Sequence, residues 1–561
     1  MSGLTIAALL LGAGGLAVML AGRQHLMLHL LQLEHYEPSR LRIWVRRRDE
    51  RVDAWAGVPM AGGALIGAAA AADIGAAAVL IGIAAAAVMA MRGIALFRRP
   101  QVKPLAFTPR ARRLYAAAIV LGASPLIALA VLAGLGAVSA SVVAVVGGIA
   151  GTGLYLLAPE VLSVAVALLA PVQAADNARF VRRARRRLQE VDPLVVGITG
   201  SYGKTTTKAC VAAVLDLLGP SYPTPASFNS YLGVVRAINE GLTLRHRSFV
   251  VEMGAYRRGD IAELCELVSP RIGVLTAIGP AHLERFGSIA EIATAKGELA
   301  ESLPSEGVFI TRSDDPRCRE VVARTQAEPL LFSVAPHDEA VVWADDIRIE
   351  AGRTRFSLCL RTPDGNASHE VRTKLLGTHN VANLVAAAAV GHSAGLELGQ
   401  IARALARVTP PEHRLSPIVN ERAGIVVIDD AYNANPQGAR AALEVLRAHP
   451  AERRLLVTPG MVELGSEEQA ENRRFGGLAA EACDIVVLVG AEQTKPIREG
   501  LEEAGFPADS IHTVRDSRHA EQLLAELSRR GDVILFENDL PDLYQRDVRR
   551  SGQPDVAAAS A

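Results

Sequence analysis

Gly197-Ile198-Thr199-Gly200-Ser201-Tyr202-Gly203-Lys204-Thr205-Thr206-Thr207 is the stretch on which the reading of this chain turns. It follows the short apolar run LVVGITG and precedes KACVAAVLDLLG, which has helical spacing. A strand, a glycine-rich turn and a helix in that order make a phosphate-binding loop. Glycines let backbone N–H groups turn towards phosphate oxygens, and the helix N-terminus adds partial positive charge. The expected cofactors are therefore ATP and Mg²⁺. Gly200, Ser201, Gly203, Lys204, Thr205 and Thr206 would cradle the nucleotide, with Lys204 at the β and γ phosphates and the Thr205 hydroxyl on the metal. The spacing departs from the usual GxxxxGK[ST], because position 198 is Ile. Tyr202 is read as a packing or loop side chain.

Downstream the pattern repeats. Apolar runs recur at SFVVEMG, IGVLTAI and GVFI with helical patterns between them, the mark of a parallel sheet wrapped by helices. Residues 330–375 alternate instead, as in RTRFSLCLR, and suggest a small antiparallel addition. A second set begins near Gly424 with GIVVIDD, RRLLVTPG, DIVVLVG and DVILFEN, a separate doubly wound unit. The Pro-rich VTPPEHR (408–414) marks the boundary. The expected organisation is a nucleotide-binding α/β domain over 194–411, a Rossmann-like domain over 412–549 and a disordered tail over 550–561.

Upstream the chemistry changes. Residues 4–22 are uncharged and about long enough to span a bilayer. A signal peptide is the rival reading, opposed by the lack of Lys or Arg ahead of the apolar run and by the apolar segments that follow. Residues 56–91 hold one charge, Asp73, and suit two short helices turning at Asp73-Ile74-Gly75. The block 114–171 holds only Glu160 and suits another pair. Between these blocks lie arginine-rich segments: Arg23, Arg40, Arg42, Arg46, Arg47, Arg48 and Arg51; then Arg92, Arg98, Arg99, Lys103, Arg110, Arg112 and Arg113; then Arg179, Arg182, Arg183, Arg185, Arg186 and Arg187. The positive-inside rule places all three in the cytoplasm. The expectation is an α-helical membrane domain over 1–175 with about five spans, its N-terminus outside, then a basic linker over 176–193 and cytoplasmic catalytic domains. The arginines are read first as topology signals and head-group contacts. The alternative is a site for an anionic, lipid-linked substrate. Asp73 and Glu160 are placed at hairpin turns in the head-group layer.

The bulk numbers agree. The 561 residues suggest three or four units. Lys+Arg and Asp+Glu are 59 each, so no net field draws nucleic acid to the chain. Cys210, Cys265, Cys318, Cys359 and Cys483 form no CxxC and read as reduced thiols.

GITGSYGKTTTK resembles the ATP loop of the Mur ligase family, and further motifs resemble that family in order over about residues 194–545. VVEMGA resembles the strand whose glutamate binds Mg²⁺, implying Glu252. TAIGPAHLERFGS resembles a segment whose histidine, here His282, helps hold a second metal or its water. TAKGELA resembles the segment with the carbamylated lysine, implying Lys296. GTHNVANLVAAAAV resembles the adenine-side helix, implying Asn380 and Asn383. Arg414 in PPEHRLSP resembles an arginine that contacts the γ-phosphate, though the Glu-His before it departs from Pro-Gly-Arg. IDDAYNANP is similar to a segment of the D-alanyl-D-alanine-adding member, with Asp430 contacting the nucleotide and Asn433 and Asn435 lining the amine site or capping a turn. MVELG resembles another family segment. Tyr256-Arg257, Pro459-Gly460 and Asn472 depart from the pattern, which concerns the acceptor more than the ATP chemistry.

The resemblance implies an acyl phosphate made from ATP and then attacked by an amine. The partners are a cell-wall precursor carboxylate, UDP-linked or lipid-linked, an amino acid or dipeptide, and membrane lipids. A membrane ligase for another polymer, such as poly-γ-glutamate, is the near alternative. An ATP-driven transporter or gate is the alternative of another class, and a degenerate nucleotide-binding scaffold a further one. Both leave Lys296 unexplained.

Overall fold

The computed structural model describes residues 3–34, 36–47, 54–99, 104–350, 352–431 and 434–538. Arg48, Arg51, Lys103, Asn433 and the expected tail lie outside the described residues. The described residues form two compact units, one within 3–178 and the other within 179–538.

The first unit is helical: α1 (Gly3–Leu33), α2 (Pro38–Arg47), α3 (Val58–Ala71), α4 (Gly75–Phe97), α5 (Pro109–Gly134), α6 (Ala140–Leu156) and the start of α7 (Ala158–Val191). Four of these, α1, α4, α5 and α7, are long and apolar enough to cross a membrane, while α3 and α6 are shorter apolar helices. The α3–α4 turn falls at Asp73, where φ is +55°, as expected from the sequence. The block 114–171 differs from expectation: it holds parts of three helices, not two. No charged residue marks its extra break, but Ser139 caps α6 by accepting from Val142 N. The first apolar helix also runs past residue 22, so Arg23 lies inside α1 rather than in a polar connection. It is fully buried, with its guanidinium 4.8 Å from the Tyr155 ring. The basic stretch read as a linker, 176–193, is helical up to Val191.

Glycine explains why so small a set of side chains packs. A Cβ on Gly22 would lie 2.4 Å from the Gly93 carbonyl oxygen, and one on Gly93 would lie 2.3 Å from that of Val18. The backbones of α1 and α4 therefore touch. Gly63 and Gly148 do the same for α3 and α6. Close backbone approach through small residues is how helices associate where burying apolar surface gives no net gain.

The second unit holds two sheets. The first is built from β1 (Leu194–Thr199), α8 (Lys204–Leu215), β2 (Ser221–Pro223), α9 (Tyr231–Gly241), β3 (Ser248–Glu252), α10 (Asp260–Val268), β4 (Ile272–Leu275), α11 (Leu283–Phe286), α12 (Ile289–Glu301), β5 (Val308–Arg312), α13 (Pro316–Val322), β6 (Glu328–Ser333), β7 (Val342–Glu350), β8 (Arg353–Thr362), β9 (Gly365–Thr373), α14 (Thr378–Ser393) and α15 (Leu398–Ala406). The strand order is 2-3-1-4-5-6-7-8-9. Strands β1 to β7 pair in parallel, and β8 and β9 extend the same sheet in antiparallel fashion from β7. One face packs on α8, α14 and α15, the other on α9, α10 and α12.

The second sheet comprises β10 (Ser416–Asn420), β11 (Ile425–Asp430), α16 (Pro436–Ala448), β12 (Arg453–Thr458), α17 (Glu468–Ala482), β13 (Ile485–Val489), α18 (Lys495–Glu503), β14 (Ile511–Val514), α19 (Ser517–Leu527) and β15 (Asp532–Glu537). Its order is 10-11-15-12-13-14, parallel except for β10. The doubly wound reading holds, and β14 and the edge strand β10 are additions to it. All five cysteines are buried thiols in this second unit.

Candidate active site

The loop between β1 and α8 has the conformation its glycines imply. Gly200 and Gly203 have φ of +150° and +78°, a region that L side chains rarely adopt. Their surroundings forbid a side chain as well. A Cβ on Gly200 would fall 1.9 Å from Thr276 Oγ1, and one on Gly203 would fall 2.3 Å from Asn383 Oδ1. The Ser201 hydroxyl bonds Gly279, donating to its carbonyl and accepting from its N–H, both at 2.9 Å. That fastens the loop to the segment after β4. Thr206 is buried in the first turn of α8.

Lys204 donates to the Gly200 carbonyl at 2.7 Å. Burial lowers its pKa, Glu252 opposes that shift, and the charge of Arg414 adds to it. Thr205 Oγ1 donates to Glu252 Oε2 at 3.1 Å, so the expected metal pair is in contact. Asn229 Nδ2 donates to the other carboxylate oxygen at 3.0 Å. Lys208 donates to Glu252 Oε2 at 2.9 Å and to the Ala226 carbonyl at 2.6 Å. Burial would raise the pKa of Glu252, but Lys208 and Lys204 hold it below the usual carboxylate range. One carboxylate and one hydroxyl are hard oxygen donors of the kind Mg²⁺ takes alongside phosphates, so these residues fit the ion.

Lys296 lies on α12 and is 3% exposed. Burial and the nearby Lys204 push its pKa well below that of a free lysine. Lys296 and Lys204 are thus electrostatic neighbours.

At three of the expected positions the geometry adds contacts that the sequence does not announce. His282 sits after β4 as expected, but its Nδ1 pairs with Glu463 of the MVELG segment and its ring stands edge-on to Tyr256, 5.1 Å between centroids. Its contacts join the two sheets' domains instead of joining Glu252. Among the described residues no three His, Cys, Asp or Glu side chains cluster as a metal site. Asn380 and Asn383, on the helix that resembles the adenine-side one, are buried against the phosphate loop. Asn383 Oδ1 accepts from Thr207 at 3.1 Å, its Nδ2 donates to Asn380, and Asn380 donates to the Leu376 carbonyl. They brace the loop. Asp430 Oδ1 accepts from Leu415 N at 3.1 Å, while Asp429 pairs with His413 at 2.7 Å. Those bonds pin the connector on both sides of Arg414, whose charge reaches Lys204 and Asp430.

Asn435 caps α16 by accepting from Gly438 N at 2.9 Å. Asn472 is buried and clamps Met461, donating to its carbonyl and accepting from its N–H, both at 2.9 Å. Sequence reasoning gave no role to Lys208, Asn229 or Glu463. Lys208 ends the quoted GITGSYGKTTTK, one helical turn after Lys204, and that spacing was its available signal.

Residues 198–391 match the Mur ligase middle domain, and residues 413–537 match the Mur ligase, glutamate ligase domain. The UDP-N-acetylmuramoyl-tripeptide--D-alanyl-D-alanine ligase of Mycobacterium leprae is 35% identical over 369 residues, 61% of this chain and 70% of that protein. Its counterpart in Mycobacterium tuberculosis (strain CDC 1551 / Oshkosh) is 37% identical over 366 residues, with the same coverage. Among solved structures, MurF from Acinetobacter baumannii superposes with a TM-score of 0.57 at 29% identity, covering 64% of this chain and 77% of that one. MurF from Thermotoga maritima in complex with ADP gives 0.56 at 26% identity, covering 64% and 80%. With its phosphate loop, its Thr205–Glu252 pair and these relatives agreeing, the chain belongs to the Mur ligase family of ATP-dependent ligases.

Proposed function

We propose that this chain joins D-alanyl-D-alanine, or a dipeptide like it, to the carboxylate of a UDP-muramoyl peptide precursor through an acyl phosphate, the MurF-type reaction. The observation that carries the reading is the convergence of Lys204, the Thr205–Glu252 pair and buried Lys296 around one phosphate loop.

The chemical difficulty is repulsion between the acceptor carboxylate and the γ-phosphate. Lys204 would turn from the Gly200 carbonyl to the phosphates, and Arg414 would add positive charge from the connector. Glu252 and Thr205 would hold Mg²⁺, which supplies Lewis-acid stabilisation of the phosphates when bound. The depressed pKa of Lys296 favours the neutral amine, and the neutral amine is the form that adds CO₂. Its carbamate would be an anion beside Lys204, replacing a like-charge contact with an attractive one. Asn380 and Asn383 act one step back by holding the loop.

The test is phosphate release by the detergent-purified full chain with ATP, Mg²⁺, UDP-muramoyl tripeptide and D-alanyl-D-alanine. Release should need both substrates, and both Lys204→Ala and Lys296→Ala should abolish it. A carbamate signal from ¹³C-labelled bicarbonate should vanish in Lys296→Ala. ATP hydrolysis indifferent to acceptor and amine would point instead to an ATP-driven gate.

A second reading concerns the acceptor. The family match begins at residue 198, and apolar helices precede it. That favours a membrane protein with its catalytic domains on the cytoplasmic side, the arginine-rich segments contacting lipid head groups. For such an enzyme a lipid-linked carboxylate is the natural alternative to a UDP-linked one. Running lipid-linked muramoyl peptide and a γ-glutamyl polymer in the same assay separates these acceptors.

A further inference from the structure

Asp430 and Glu537 end two neighbouring parallel strands, β11 and β15, and stand opposite each other in register. Side chains two residues apart on a strand share a face. The pair therefore lies on the face where Ile428 and Leu535 join the core beneath α16 and α17. Glu537 is 1% exposed, and among the described residues neither of its carboxylate oxygens accepts from a backbone or side-chain N–H. Asp430 accepts from Leu415 N with one oxygen. The two carboxyls stand within hydrogen-bonding reach of each other, which holds Glu537 in its protonated form and Asp430 towards its ionised one.

Burying a carboxyl with no donor costs free energy, and placing a second acid beside it adds to that cost. Burial raises the pKa of both: Asp430 to about 6, and Glu537 well above the usual range with Asp430's charge adding to the effect. The arrangement asks for a cation with several N–H donors. Its location suits a ligand, because open α/β sheets bind theirs at the carboxyl ends of the strands. It also lies close to the chemistry. The charge of Arg414 acts on Asp430, on Glu537 and on Lys204 of the phosphate loop, so one guanidinium spans all three. Asn538, next to Glu537, ties the neighbouring loops at this edge, accepting from Ala434 N at 3.2 Å and donating to the Gly460 carbonyl at 2.6 Å.

We propose that Asp430 and Glu537 form the seat for the ammonium group of the incoming amine, holding it by the Glu537 oxygens, which no N–H donor among the described residues reaches. The inference rests on the ligase reading above and names the amine subsite within it. A primary ammonium brings three N–H donors and one positive charge, which match what the pair lacks.

The test uses the detergent-purified full chain and Glu537→Gln, with D-alanyl-D-alanine as amine and N-acetyl-D-alanyl-D-alanine as the control without an ammonium. Without substrates, Glu537→Gln should melt at or above the wild-type temperature, since one of two adjacent buried acids has been removed. With ADP and Mg²⁺, the free dipeptide should raise the melting temperature of the wild type but not of the variant, and the acetylated dipeptide should shift neither. In turnover, KM for the amine should rise tenfold or more in the variant, with KM for ATP and acceptor unchanged. A variant that melts lower and turns over more slowly with wild-type amine KM would overturn the proposal, making Glu537 a counter-ion for Arg414. If the wild type is stabilised by the free dipeptide yet releases no phosphate with any acceptor, the ligase reading fails and the seat stands. If the wild type turns over and the variant matches its amine KM, the seat fails and the ligase stands.

Discussion

Glu252 is satisfied by three side chains that come from two different segments. Thr205 and Lys208 reach it from α8 and Asn229 from the loop before α9. Lys208 and Glu252 are both nearly inaccessible, so removing one partner leaves the other buried and unpaired. Lys208→Met should therefore destabilise the ligand-free second unit by about 3–5 kcal/mol, read by denaturant unfolding. An unchanged midpoint would mean that Asn229 and Thr205 suffice. The pH dependence has a definite sign. The pKa of Glu252 is depressed in the fold, so its stabilising share is present above the unfolded value and is lost as pH falls through the folded one. Lys204 and Thr205 were legible in the sequence because a strand–turn–helix is a local signal, and Glu252 through the resemblance of VVEMGA to a family segment. The Lys208–Glu252 and His282–Glu463 pairs were not, since their members are 44 and 181 residues apart and only the sheet order brings them together. The same holds for Asn383, whose contact with Thr207 spans 176 residues.

The helices of the first unit show how an element can be legible while its partner is not. Alanine and glycine without charge announced apolar helices, and Asp73 announced a turn. Nothing local said that Gly63 of α3 would meet Gly148 of α6, where a Cβ on Gly148 would fall 2.5 Å from the Pro59 carbonyl oxygen. Overpacking of this kind costs about 1–3 kcal/mol. Gly148→Val should lower the melting temperature of the first unit in detergent, whereas Gly153→Val, with open space around it, should not. Equal effects from both would show that valine's helix propensity, not the α3–α6 contact, sets the cost. The block 114–171 was read as a pair for a related reason. Residues 135–139 interrupt it without a charge, and only the capping serine distinguishes the break from a continuous apolar run.

At the scale of the whole chain, the division into two compact units has a thermodynamic consequence. Units with separate cores unfold separately unless they are strongly coupled. Calorimetry in detergent should resolve two transitions, and ADP with Mg²⁺ should raise only the one belonging to residues 179–538. At a nucleotide concentration a hundredfold above Kd, that gain is about 2.7 kcal/mol. A single transition that moves as one would show that the units melt cooperatively. The nucleotide-binding half of this division was plain from the sequence, because alternating strand and helix patterns fix a parallel sheet. The placement of β14 and β10 was less so, since short edge strands carry few residues on which periodicity can act.

The distribution of thiols gives the protein a practical property. Every cysteine belongs to the second unit and is buried, and burial raises each thiol's pKa, that of Cys210 to about 12. Thiolate is the reactive form, so maleimides should find no ready target on the folded chain. A single cysteine introduced at Asp73, at Gly136 or near Arg182 would then be the one reactive handle. Labelling intact cells with permeant and impermeant reagents, with no reactive cysteine of the protein's own to remove, would test site by site whether the apolar helices cross a bilayer. Turns reached equally by both reagents, or by the permeant one alone at every site, would count against the expected topology.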